Sequence, residues 1–118
     1  MRLSPAQQER YARHLILDEF GGEGQERLLA ASVHVRGDGV AAHWAARYLA
    51  ASGLGHLTID VDAWRDELQG LGPWLALDVR DVQLVHTPVD GAFPAESAMN
   101  GAMAALEIVR KIVRGERE

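Results

Sequence analysis

The chain has no cysteine. That single absence removes disulfides, thiolate zinc sites and thiol nucleophiles together. There is also no run of about 18 apolar residues, so no membrane-spanning helix is expected. Met1-Arg2-Leu3-Ser4-Pro5 leads into polar sequence without the apolar core of a signal peptide, and the expected location is the cytoplasm. A basic excess is missing as well: 12 Lys and Arg stand against 17 Asp and Glu, a net charge of −5. Nucleic-acid binding needs a dense basic face, so that class is excluded. The one basic cluster, Arg110, Lys111, Arg114 and Arg117, suits the negative end of a last helix. No repeat or low-complexity stretch occurs. The five histidines, His14, His34, His43, His56 and His86, include no pair at the spacing of a helical metal site, and no metal site is expected. No serine, histidine and acid grouping suggests a hydrolase.

What is present fits one small α/β domain over residues 1–118, 47% apolar. A chain this short buries only about two-thirds of its unfolded surface, so its stability margin is thin and a partner subunit would help. Ser4-Pro5-Ala6-Gln7 is a helix start, with Ser4 as N-cap, Pro5 in the first turn and Gln7 completing a capping box. The helix is expected to run to Leu17 and to break at Gly21-Gly22; a second spans Glu23 to Ala30. Val33-His34-Val35 reads as a strand, Val40 to Ser52 as a helix stopped by Gly53, and Leu57 to Val61 as a second strand. Ala41, Trp44, Ala45, Tyr48 and Leu49 form the helix's apolar stripe. Strand, glycine turn, helix and strand make a right-handed βαβ unit with parallel strands. Ala63 to Trp74 is expected to be loop with at most a short helix, Val82 to His86 a third strand, and Pro94 to Arg114 a last helix stopped by Gly115. That helix has Ala102, Leu106, Val109 and Val113 on one face, and its small residues around Met99 to Ala105 suit close packing against another helix. Trp44, Trp64 and Trp74 are expected as core or interface anchors.

The chemistry concentrates at Gly37-Asp38-Gly39-Val40-Ala41-Ala42, a G-x-G-x-x-A turn between strand and helix. Such a turn receives phosphate because missing Cβ atoms let the backbone approach, and because a helix N-terminus offers free N–H groups. Gly37, Gly39 and Ala42 are the candidate contacts, and Asp60 or Asp62, after the second strand, the candidate ribose ligand. Two features oppose it. Asp38 places a carboxylate where phosphate would sit, and His43 and Trp44 add bulk in the helix's first turn. A tight turn without ligand remains the other reading, and for Asp60 and Asp62 a cation site or simple hydration.

Together these residues resemble the ThiF/MoeB/HesA family of ubiquitin-like-protein-activating enzymes. Arg10-Tyr11-Ala12-Arg13-His14 and Gly21-Gly22-Glu23-Gly24-Gln25-Glu26-Arg27-Leu28 are similar to its N-terminal signature. Ala31 to Gly39 aligns with its first strand and G-x-G-G-L-G loop, and Ala45 through Asp62, containing Tyr48-Leu49-Ala50 to Asp60, with its Y-L-A-x-x-G-V-G-x-L-T-L-x-D run. Asn100 to Gly115 is similar to the family's helix that returns to the dimer interface. The resemblance implies a short Rossmann-like parallel sheet with flanking helices, a truncated activating-enzyme-like fold: N-terminal helices over 1–31, a βαβ unit over 32–62, a shortened middle over 63–93 and a C-terminal helix over 94–115. It implies Mg-ATP as cofactor, adenylation of a ubiquitin-like or sulfur-carrier protein, Gly37 and Gly39 at the phosphates, and Arg13 reaching into a neighbouring subunit's site.

The departures set the expectation. Ala63-Trp64-Arg65-Asp66-Glu67-Leu68-Gln69 stands where the family has S-N-L-x-R-Q, and Lys111, the sole lysine, lies in the last helix. The strand bearing the magnesium-binding aspartate and the zinc-binding cysteine pairs have no counterpart. The expectation is therefore a pseudoenzyme, holding ATP weakly or not at all and no zinc, that forms a homodimer or pairs with a full-length relative. A minimal active adenylyltransferase and a nucleotide sensor without chemistry are the alternatives.

Overall fold

The computed structural model describes residues 21–77 and 81–115. The expected helix from Ser4 to Leu17, with Arg13 on it, lies outside the described residues, as does Arg117. Helix α1 (Gly21–Ala30) includes the glycine pair, two residues ahead of the expected start at Glu23. Glycine weakens a helix by about 1 kcal/mol without forbidding it, and burial of Leu28 offsets that cost.

Strand β1 (Ser32–Val35) leads through the glycine turn into helix α2 (Val40–Ser52), whose limits are those expected. Gly53 ends α2 in the left-handed conformation, φ 102°. Strand β2 (His56–Ile59) stops two residues sooner than its pattern suggests, because Val61 already caps a 3₁₀ turn over Asp62–Trp64. Helix α3 (Arg65–Leu71) is the short helix of the middle segment. A two-residue strand β3 (Ala76–Leu77), not anticipated, precedes β4 (Leu84–His86) and the long helix α4 (Pro94–Val113).

The four strands are parallel, in the order β3-β2-β1-β4. Val33 is the hinge of the register: it lies beside Leu57 of β2 and Leu84 of β4. Successive crossovers step away from β1 on one side, and β4 then returns to the other. The order therefore reverses between β1 and β4, and in open parallel sheets ligands enter the crevice at the carboxyl ends of such a pair.

Leu49, Leu54, Leu57, Leu68, Ile108, Val33 and Val35 are fully buried in one core cluster. Each contributes about 1.5–3 kcal/mol of transfer free energy. Two expected stripes shift. On α2 the buried residues are Ala41, Ala42, Ala45, Ala46, Leu49, Ala50 and Ala51, whereas Trp44 is half-buried and Tyr48 exposed. The α2–α4 contact is too close for aromatic side chains and takes alanine instead. On α4 the core takes Ala104, Ala105, Ile108, Val109, Ile112 and Val113, and leaves Leu106 outside. Trp64 packs on the core's margin, while Trp74 is exposed. Arg27 Nη1 donates to the Val113 carbonyl at 2.8 Å, a cation on the negative end of α4. No helix among the described residues is long and apolar enough to cross a membrane.

Candidate anion-binding site at the glycine turn

The crevice is built by backbone first. Gly37 leaves β1 with φ 109°, a conformation that a side chain would strain, and this turns the chain into α2. Gly39 is the N-cap, extended, with its carbonyl accepting from His43 N at 3.1 Å. It has no side chain to satisfy the next N–H groups. Those donors, at the positive end of a 13-residue helix, are the natural seat for an anion.

Two of the chain's own carboxylates hold that region. Asp60, the first residue past β2, accepts from Gly37 N at 2.9 Å through Oδ2 and from His34 Nε2 at 2.7 Å through Oδ1. Asp90 accepts from Ala41 N at 2.8 Å, inside the first turn of α2. Its carboxylate lies so close over Gly39 that an added Cβ would collide with it. Asp90 is itself fixed from both flanks. Gly91 N donates to the buried Ser97 Oγ at 2.9 Å, and Asn100 Nδ2 to the Val89 carbonyl at 2.9 Å.

The expected site residues therefore separate. Gly37, Gly39 and Asp60 meet at the turn. Ala42 is buried in the core, close to Gly37, and packs the helix against the strand. Asp62 opens the exposed 3₁₀ turn. The strand alternation that put it on one face with Asp60 does not exist, since β2 ends at Ile59. Asp38 is exposed and makes no hydrogen bond among the described residues, whereas Asp60 and Asp90 accept from the turn's N–H groups. The bulk of His43 is turned aside. Its ring stacks on Trp64 at 4.5 Å, and its Nε2 lies 2.7 Å from Glu67 Oε1. Among the described residues no group of three or more histidine and acidic side chains could hold a metal.

The Gly37 N–H bond above all, and then the His34 imidazole with help from Arg36, hold the Asp60 carboxyl below the ordinary carboxylate range. A group whose native pKa is depressed adds stability above its unfolded pKa, about 3.9 for aspartate. It loses that contribution as pH falls through the lower native value. Asp60 is 41% exposed, so solvent screening keeps the effect to no more than about 1 kcal/mol. Asp60→Asn is expected to be less stable than the parent at pH 7, with the gap closing below about pH 4. Urea midpoints of the two proteins across that range check it, and a gap constant with pH would contradict it.

With this geometry in hand, comparison with known proteins is decisive on kinship. Residues 11–69, half of the 118-residue chain, match the ThiF family. The chain belongs to the ThiF family. It is 48% identical over 59 residues to the SAMP-activating enzyme E1 of Haloferax volcanii, covering 50% of this chain and 22% of that protein. It is 35% identical over 113 residues to the adenylyltransferase and sulfurtransferase MOCS3 of Arabidopsis thaliana, covering 95% of this chain and 21% of that one. The heterocyst HesA protein of Trichormus variabilis is 42% identical over 59 residues, 50% of this chain and 22% of its own length. The ThiF-family chain thus spans about a fifth of the length of these relatives. The crystal structure of E. coli tRNA N6-threonylcarbamoyladenosine dehydratase, TcdA, shares the fold with a TM-score of 0.56 at 17% identity, over 92% of this chain and 61% of that one.

Sequence reasoning missed Asp90 and the His34–Asp60 pair. Both arise where parallel strands end side by side, and only the strand order tells that the segment after β4 passes over the start of α2. A weak signal exists: Asp90 lies four residues beyond a strand, where site residues of parallel sheets gather.

Proposed function

We propose that this ThiF-family chain does not adenylate on its own and works by assembly with another protein chain, a second copy or a longer relative. The relatives' names, adenylyltransferase and SAMP-activating enzyme, point to carrier-protein activation as the setting, with a ubiquitin-like or sulfur-carrier protein as the outer partner.

The observation that carries this reading is the pair of carboxylates on the turn's N–H groups. Gly37 N and Ala41 N are donors a phosphate would use, and Asp60 and Asp90 accept from them. Two unit charges of like sign at 4 Å repel by about 1 kcal/mol in water and about 4 kcal/mol near a protein surface. A triphosphate would meet that repulsion at several oxygens. Adenylation also requires charge neutralisation during transfer. The only lysine is Lys111, on α4. The residues at the turn therefore do not fit Mg-ATP.

Titration calorimetry with Mg-ATP and pyrophosphate–ATP exchange with ubiquitin-like carrier proteins test the proposal. Exchange at background level and binding weaker than about 1 mM are expected. Exchange well above background by the purified chain would overturn it and restore the reading of a minimal adenylyltransferase.

A further inference from the structure

Helix α4 forms one wall of an open groove of about 820 Å³, and the segment 86–89 forms the other. Asn100 Nδ2 donates to the Val89 carbonyl at 2.9 Å and ties the two walls together at one end. From there the groove passes Met103, 57% exposed, and Leu106, 37% exposed, to Arg110 and Arg114. Apolar surface therefore gives way to positive charge along its length. Asn100 to Arg114 is about 21 Å of helix. The volume spread over that length leaves a cross-section of about 40 Å², enough for an extended chain but not for a helix about 10–12 Å across.

The cations at the far end are surplus to the fold. The negative end of α4 already has Arg27, whose guanidinium donates to the Val113 carbonyl at 2.8 Å. Arg110 and Arg114 are exposed, and their side chains make no ion pair or hydrogen bond among the described residues. Glu107, the one carboxylate lining the groove among the described residues, is 3.7 Å from Lys111 and so already neutralised. On a chain of net charge −5, where acids outnumber bases, two neighbouring cations without a carboxylate are the exception. They select a negatively charged occupant.

Spacing narrows the choice further. Leu106, Arg110 and Arg114 follow at four-residue steps, about 6 Å of helix each. In an extended chain every second side chain points the same way, at intervals of about 6.6 Å. An apolar residue with acids at the second and fourth positions from it thus meets Leu106, Arg110 and Arg114 together. We infer that the groove receives an extended acidic peptide of a partner protein, of the pattern apolar-x-acidic-x-acidic. Its apolar side chain lies between Met103 and Leu106, and its two carboxylates meet Arg110 and Arg114, whose planar forks suit them. A lipid surface shares the negative charge, but being flat it cannot enter a groove that Asn100 closes at one end. The inference rests on the assembly reading above only in taking a protein chain as the partner.

Fluorescence anisotropy of the labelled, amidated peptide Gly-Leu-Ser-Glu-Ser-Glu-Gly, titrated with the full chain, provides the test. A dissociation constant below about 1 mM is expected at low salt, with binding at least about threefold weaker at about 0.5 M salt. Arg110→Glu and Arg114→Glu are each expected to weaken binding at least about fivefold, with unchanged circular dichroism. Leu106→Ala is expected to weaken it at least about threefold, through lost apolar contact. The same peptide with lysine in place of both glutamates is expected to bind the double arginine variant and not the parent. No binding by the parent overturns the inference, as does a double variant that holds the glutamate peptide as well as the parent does. Vesicles of phosphatidylcholine and phosphatidylserine in equal parts that capture the parent, while the peptide does not bind, would assign the cations to a lipid surface and overturn it too. No nucleotide enters these measurements, so failure here leaves the absence of adenylation standing, which the exchange assay tests by itself.

Discussion

Gly101→Val is expected to destabilise the chain by about 3 kcal/mol or more, beyond the usual 1–3 kcal/mol of overpacking. The reason is what lies opposite. A Cβ at Gly101 would collide with the Ala41 carbonyl and come within 2.8 Å of Trp44 Cβ and 2.9 Å of Ala45 N. Two of those three atoms are backbone, which no rotamer change moves aside. Helix α2 would have to shift from α4 as a body, exposing Ala41 and Ala45, both fully buried. Against a total stability of about 5–15 kcal/mol that loss is large. The shift also reaches the crevice, because Ala41 N is the donor to Asp90. Even Gly101→Ala is expected to destabilise, although alanine in an open helix position gains about 1 kcal/mol over glycine. Gly70 supplies the control: it lies in α3 with nothing within 4 Å of an added Cβ. Gly70→Ala is thus expected to raise stability by up to about 1 kcal/mol. Urea midpoints of the two alanine variants should move in opposite directions, and movement in the same direction would refute the packing argument.

The contrast between these glycines shows what the sequence holds openly and what it does not. Local rules located α2 to the residue, since a glycine turn opens it and Gly53 closes it. They located α4 within one residue at its end, because Pro94 opens it and Gly115 follows it. The βαβ unit gave the parallel pairing of β1 and β2. Long-range packing was out of reach. Whether α2 buries Trp44 or a row of alanines depends on how near α4 comes, which Gly101 decides from about 60 residues away. Strand β3 has two residues, too few for any alternation to register. The phase of α4 was misjudged for a related reason: with apolar residues on two faces, spacing alone could not say which face meets the sheet. The glycine turn was evident as a motif, and Asp60 as its companion. That Asp90 sits over the turn follows from the strand order, which no local pattern encodes.

Leu57→Ala is expected to cost about 2–5 kcal/mol, the range for emptying a fully buried leucine site. Leu57 has no exposed surface and lies in the middle of the sheet, beside Val33 of β1 and Leu77 of β3. Strands on both sides prevent the backbone from collapsing into the void, so the upper half of the range is the appropriate one. Leu57→Met, which nearly conserves volume, is expected to cost less than about 1.5 kcal/mol. The same truncation on α4 separates core from surface. Leu106 is 37% exposed and outside the core, so Leu106→Ala should change stability by less than about 1 kcal/mol. Denaturant midpoints distinguish the two sites: Leu57→Ala lowers the midpoint, while Leu106→Ala leaves it nearly unchanged. A Leu57→Ala loss below about 1 kcal/mol would mean that the sheet centre is not packed as described.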